Sequence, residues 1–176
     1  MSKSIYPTEA KAILLLLTSQ PELADPVLKK FEKELGPIEI KSPWHPFESN
    51  YYEDEVGKNA KRCLVGFQKV FAPEQLPELK KLATKLEGKE RRINIDPGIV
   101  DLFKVILVSG KGGGMKVALT KGAHAYTLLR FEHGQWFPFP WTYPDFKEKT
   151  YHPELLEIRK SLSRQLLEKQ AGANPS

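Results

Sequence analysis

Apolar and polar positions change period several times along the chain. Ala12 to Ser19, AILLLLTS, is short and apolar on both faces, which predicts a buried central strand that opens a sheet. Pro21 then precedes Leu23, Val27, Phe31 and Leu35, spaced four apart, and Gly36-Pro37 follows; this is the stripe of an amphipathic helix with its stop signal. Ile38 and Ile40 alternate with Glu39 and Lys41 as in a half-buried strand, until Pro43 ends the pattern. After a long irregular segment, Arg62 to Phe71 resumes as a strand. Pro73 starts a second helix through Leu76, Leu79, Leu82 and Leu86, with Pro77 tolerated in its first turn and Gly88 closing it.

Arg91 to Asp96 reads as the next strand. The order to this point is β-α-β-β-α-β, so the predicted class is α+β and the predicted core a ferredoxin-like sandwich. Phe103 to Ser109, Met115 to Thr120, Ala123 to Glu132 and Gln135 to Phe139 add strands, with Lys121-Gly122 and His133-Gly134 as turns; together they predict an antiparallel β-meander extension. Pro153 can open a C-terminal helix whose Leu155, Ile158, Leu162 and Leu166 dock on the sheet. Residues 1–170 are expected to form one α+β domain and residues 171–176 a disordered tail.

Composition narrows the function classes. Hydrophobic residues at 40% and charged residues at 28% describe a chain that folds by itself. A lone cysteine, Cys63, excludes an internal disulfide and every multi-cysteine metal site, and its neighbours Leu64 and Val65 predict a buried, inert thiol. The longest apolar run, Ala12 to Leu17, is too short for a membrane span, and Glu9 with no cleavage site after the run argues against a signal peptide. A cytoplasmic protein without a membrane partner is expected. The histidines His45, His124, His133 and His152 show no close ligand spacing, so no metal is indicated, and the sequence names no cofactor. The net charge is +5, and the whole excess of basic residues falls in residues 89–176. Such asymmetry suits an anionic ligand or nucleic acid, and also proteins that bind neither.

Candidate chemistry concentrates in RRINIDPG, Arg91 to Gly98. Strand alternation sends Ile93 and Ile95 inward and lines the other face with Arg92, Asn94 and Asp96; Asp96-Pro97-Gly98 then suits a turn. Arg91 or Arg92 can hold a phosphate or carboxylate, Asn94 can orient it, and Asp96 can act as base or bind a divalent cation. The same pattern fits a solvent-facing strand with an internal Arg–Asp pair. Trp44 to Asn59 is longer than most connections and carries Trp44, Phe47, Tyr51 and Tyr52, which need burial, a ligand or a partner to cover them. Glu53 in its acidic run is a second candidate catalytic carboxylate beside Asp96. Trp136 to Phe146, WFPFPWTYPDF, reads either as a clasp over the sheet or as a stacking wall, with Trp141 and Tyr143 flat against a ligand and Asp145 at the rim. Ser109 to Lys116, SGKGGGMK, invites comparison with a phosphate-binding loop, but Met115 and Val117 stand where that motif needs glycine and a hydroxyl; a flexible hairpin loop is expected instead.

YYEDEVG at Tyr51 to Gly57, RRINIDPG at Arg91 to Gly98 and WTYPDF at Trp141 to Phe146, in this order, resemble the prokaryotic domain-of-unknown-function family 4416 over nearly the whole chain up to the final helix. The resemblance implies no particular activity. The family pattern has an aromatic after the Asp-Pro-Gly string and a histidine-containing strand; Ile99 and Met115 stand near those points here, and His124 lies in the neighbouring strand. The leading expectation is a cleft that binds or acts on a small anionic ligand, with phosphorylated compounds among the candidates, formed by Arg92, Asn94 and Asp96 with Tyr51, Tyr52, Glu53, Trp141, Tyr143 and Asp145. Two alternatives stand beside it. One is a single-stranded nucleic-acid module, which lacks the RNA-recognition consensus; the other is a protein–protein or homodimer interface made by the aromatic segments.

Overall fold

The computed structural model describes residues 9–173, which form an α+β fold of five helices on a nine-stranded antiparallel sheet. In chain order these are β1 (Ala10–Thr18), α1 (Ala24–Leu35), β2 (Ile38–Lys41), β3 (His45–Pro46), α2 (Glu53–Val56), β4 (Lys61–Phe71) and α3 (Leu76–Glu87). They continue as β5 (Ile93–Val100), β6 (Lys104–Ser109), β7 (Val117–Thr120), β8 (Ala123–Glu132), β9 (Gln135–Pro138), α4 (Pro144–Lys147) and α5 (His152–Ala173). The sheet runs β2-β4-β1-β5-β6-β8-β7, with β3 beside β4 and β9 beside β8.

β1 is buried along its whole length because both of its faces are covered. Ala10, Ala12, Leu14 and Leu16 pack with Val27 and Phe31 of α1 and Leu79 and Ala83 of α3. Ile13 and Leu15 point the other way, to Tyr151, Leu155 and Ile158. A strand in a two-sided core has no polar face to give, which is why its sequence shows no alternation. α5 lies close on the sheet because Gly66 of β4 has no side chain: a Cβ there would sit 2.7 Å from the Cδ1 of Ile158. Lys11, also buried, ties three elements together through an ion pair to Glu39 of β2 at 3.0 Å and a hydrogen bond to Gln165 of α5 at 2.8 Å. Burial pushes its ammonium pKa down, against the opposing pull of Glu39.

Four expectations change. Asp96-Pro97-Gly98 is not a turn: β5 runs straight through it, with Pro97 opposite Leu14 and Gly98 opposite Ile13. On its other side β5 meets β6 only from Gly98 onward. Ile95 directs its N–H and C=O to that open side, so Pro97, two residues on, turns its missing donor to the same place, where no ladder needs it. Gly98 serves a close approach: a Cβ would lie 2.2 Å from the Ile106 carbonyl oxygen.

The extension is also not a meander. β8 lies directly beside β6, while its far edge is shared by β7 at its start and β9 at its end. Ser109 to Lys116 therefore joins two strands that are not paired, and it is not a hairpin loop. Finally, α5 continues to Ala173, past the expected start of the tail at residue 171; residues 174–176 lie outside the described residues. Among the described residues no helix is long and apolar enough to cross a membrane.

Candidate functional site

β5 and β6 splay apart beyond Gly98 and Leu107, and the fork between them opens a cavity of about 360 Å³. α3 supplies Lys80, Thr84 and Glu87; β5 and the residues before it supply Arg91, Asn94 and Asp96. The end of β6 and its loop supply Ser109, Gly110, Lys111 and Lys116, and Tyr51, Tyr52 and Tyr143 close the remaining side.

The open edge of β5 is held by α3 side chains in place of a strand. Glu87 Oε1 accepts the Ile95 N–H at 2.8 Å, and Lys80 Nζ donates to the Ile95 carbonyl at 3.1 Å. Lys80 also reaches Asp96 Oδ1 at 3.4 Å. Asn94 Nδ2 donates to Asp96 Oδ2 at 2.9 Å, and Arg91 Nη2 donates to Asn94 Oδ1 at 3.1 Å. Arg91 further bonds Glu55 of α2 at 3.2 Å and stands 3.8 Å from Glu87 Oε2, which closes the circuit. Burial pushes the Glu87 carboxyl up from its ordinary value, against the opposing pull of Lys80, the Ile95 N–H and Arg91. Fixed groups of this kind are preorganised and pay little further ordering cost on binding.

The glycine-rich loop differs in its charge balance. Lys111 Nζ donates to the Tyr51 hydroxyl at 3.4 Å, and Lys116 Nζ donates to Ser109 Oγ and the Lys111 carbonyl, both at 3.2 Å. Among the described residues neither ammonium has a carboxylate partner. The hydroxyls of Tyr52 and Tyr143 on the facing wall stay protonated. Burial pushes Tyr52 up to about 12, and burial also raises Tyr126 and Tyr143, whose hydroxyls bond each other.

Of the residues named from sequence, Tyr51, Tyr52, Asn94, Asp96 and Tyr143 come together on this cavity. Arg92 does not: its side chain is 61% exposed and pairs with Glu90 at 2.7 Å. Alternation fails there because Arg91 adopts φ 46°, outside the strand, and it is Arg91 that turns into the cavity. Glu53 lies in the first turn of α2 and lines neither this cavity nor its neighbour. Trp141 stacks on Phe139 and donates its indole N–H to the Thr127 carbonyl at 2.8 Å, so it belongs to the clasp. Asp145 pairs with Arg62 at 2.8 Å in an adjoining cavity. Sequence reasoning did not assign Lys80, Glu87, Lys111 or Lys116 to the site. Lys80 and Glu87 sit at helical positions of ordinary pattern; the glycine run did signal the two loop lysines, although not as a phosphate-binding motif.

Fold and site together define an α+β domain with a basic cavity at a fork in an antiparallel sheet. The chain belongs to the family described as Domain of unknown function (DUF4416), whose model matches residues 8–162. Comparison with curated proteins and with solved structures finds no match.

Proposed function

We propose that this protein binds a small anionic, phosphorylated ligand in the cavity between α3, β5, the Ser109–Lys116 loop and the tyrosine wall. The observation that carries the reading is the pair of ammonium groups, Lys111 and Lys116, that face the cavity with only neutral acceptors among the described residues. Lys80 and Arg91 are already balanced by Asp96, Glu87 and Glu55, so the uncompensated charge is that of the loop. A phosphate group there gains charge-assisted hydrogen bonds without breaking an existing ion pair. Tyr51 and Tyr52 of YYED, Asn94 and Asp96 of NIDPG and Tyr143 of WTYPD border the same space. Asp96 has partners on both oxygens, which suits a role in holding Lys80 and Asn94 in place. We also read β1, β2, β4 and β5 as a ferredoxin-like unit; the order β5-β1-β4-β2, with α1 and α3 packed on one face, supports this.

A thermal-shift screen of phosphorylated metabolites tests the binding reading. A ligand at about one hundred times its dissociation constant stabilises by roughly 2.7 kcal/mol, and Lys111→Ala with Lys116→Ala is expected to abolish the shift while leaving the ligand-free melting temperature nearly unchanged. An unaltered shift in the double variant would move the site elsewhere.

A further inference from the structure

The wall of Tyr51, Tyr52 and Tyr143 is shared. The same three residues also line an adjoining cavity of about 590 Å³, whose other lining residues include Phe47, Arg62, Asp145, Glu48 and Glu148. Its character is opposite to that of the basic cavity. The guanidinium of Arg62 is sandwiched between the Phe47 ring at 4.0 Å and the Tyr143 ring at 4.9 Å, and its Nη1 is bonded to Asp145. Its Nε has no partner among the described residues, although Arg62 is only 3% exposed. The guanidinium occupies one face of each ring and holds both rings in place, which leaves a base their edges and opposite faces. Asp145 is balanced by Arg62 and also accepts the Phe146 N–H at 3.1 Å, so the net negative charge is that of Glu48 and Glu148; these carboxylates repel a phosphate and accept hydrogen bonds from amino and imino N–H groups.

A ligand that satisfies both cavities has an anionic end and a flat, donor-bearing end. We propose that it is a nucleoside phosphate, with its phosphate on Lys111 and Lys116 and its base against Phe47, Tyr52 and Tyr143 beside Asp145. This rests on the anion-binding reading and specifies its ligand class. Base stacking on aromatic side chains tolerates different bases, so the stack by itself selects for a ring. The carboxylates select for bases with exocyclic amino or ring N–H groups.

Isothermal titration calorimetry on the full chain with inorganic phosphate, ribose 5-phosphate, the common nucleoside monophosphates and diphosphates, and unphosphorylated nucleosides separates the two readings. At least one nucleotide is expected to bind about tenfold or more tightly than ribose 5-phosphate, the fold-change that one stacked base supplies. Asp145→Asn and Phe47→Leu are expected to reduce that advantage and leave ribose 5-phosphate binding unchanged. Equal affinity of ribose 5-phosphate and every nucleotide overturns the nucleoside assignment and leaves the anion site standing. Binding of none of these ligands overturns both. Tighter, salt-dependent binding of a single-stranded RNA pool than of any mononucleotide also overturns the proposal and makes the surface a nucleic-acid interface. The ligand series on the unmodified protein decides the matter even if a variant fails to fold.

Discussion

His152 stands at the start of α5, buried, with Nε2 at 3.0 Å from the Phe146 carbonyl. A carbonyl only accepts, so the ring nitrogen donates, and the neutral ring supplies that proton. Burial pushes the His152 pKa down, with the Phe146 carbonyl opposing the shift. A depressed folded-state value means that the stabilisation is fully present above the ordinary histidine pKa of about 6.5 and is lost as pH falls through the lower folded value. Melting temperatures between pH 8 and pH 4.5 are expected to fall more steeply for the unmodified protein than for His152→Gln; parallel curves would contradict this. Cys63 follows the sequence reading at the same scale: it is buried, and desolvation raises its thiol pKa. Arg91 and Arg92 show the limit of such reading. Alternation orients a residue only inside a strand, and the left-handed φ of Arg91 lies just before β5 begins.

Among the elements, β5 departs furthest from its sequence pattern. Asp-Pro-Gly has the chemistry of a turn, but local preference yields when a strand must pass between two neighbours. β1 supplies a continuous ladder from Ile93 to Val100, and Pro97 falls where the second neighbour has not begun. Gly98 carries a sharp expectation: Gly98→Ala forces the β5 and β6 backbones apart, costing about 3 kcal/mol or more in urea unfolding. A loss below about 1 kcal/mol would mean that the fork relaxes easily. The helices α1 and α3 were legible because a four-residue stripe with a terminal glycine has few competing interpretations. The strand order beyond β6 was not legible. Nothing in the period of β7 says whether it pairs with β6 or with the far edge of β8.

For the whole molecule, the sheet has two differently covered faces, and α5 covers the second. Removing the chain from His152 onward strips Leu155 and Ile158 from Ile13, Leu15 and Leu64. The truncated chain is expected to bind a hydrophobic dye and to lose cooperative unfolding; a sharp melt would show that α5 is dispensable to the core. The candidate site exists only at this scale. It draws on α3, β5, the loop after β6, the segment around Tyr51 and the clasp around Tyr143, separated by up to nearly a hundred residues in the chain. The sequence by itself determined the α+β class, the long two-sided strand β1 and both amphipathic helices of the first face, and it singled out Tyr51, Tyr52, Asn94, Asp96 and Tyr143, which the fold brings to one cavity. These follow from local periodicity and residue chemistry, which neighbouring residues carry. Only the tertiary structure decided that Lys80 and Glu87 satisfy the open edge of β5, that Arg91 replaces Arg92, and that Trp141 belongs to the clasp. It alone set the glycine-rich loop beside NIDPG. Those outcomes depend on where β5 and β6 part, and strand pairing is a long-range energy that no single segment encodes.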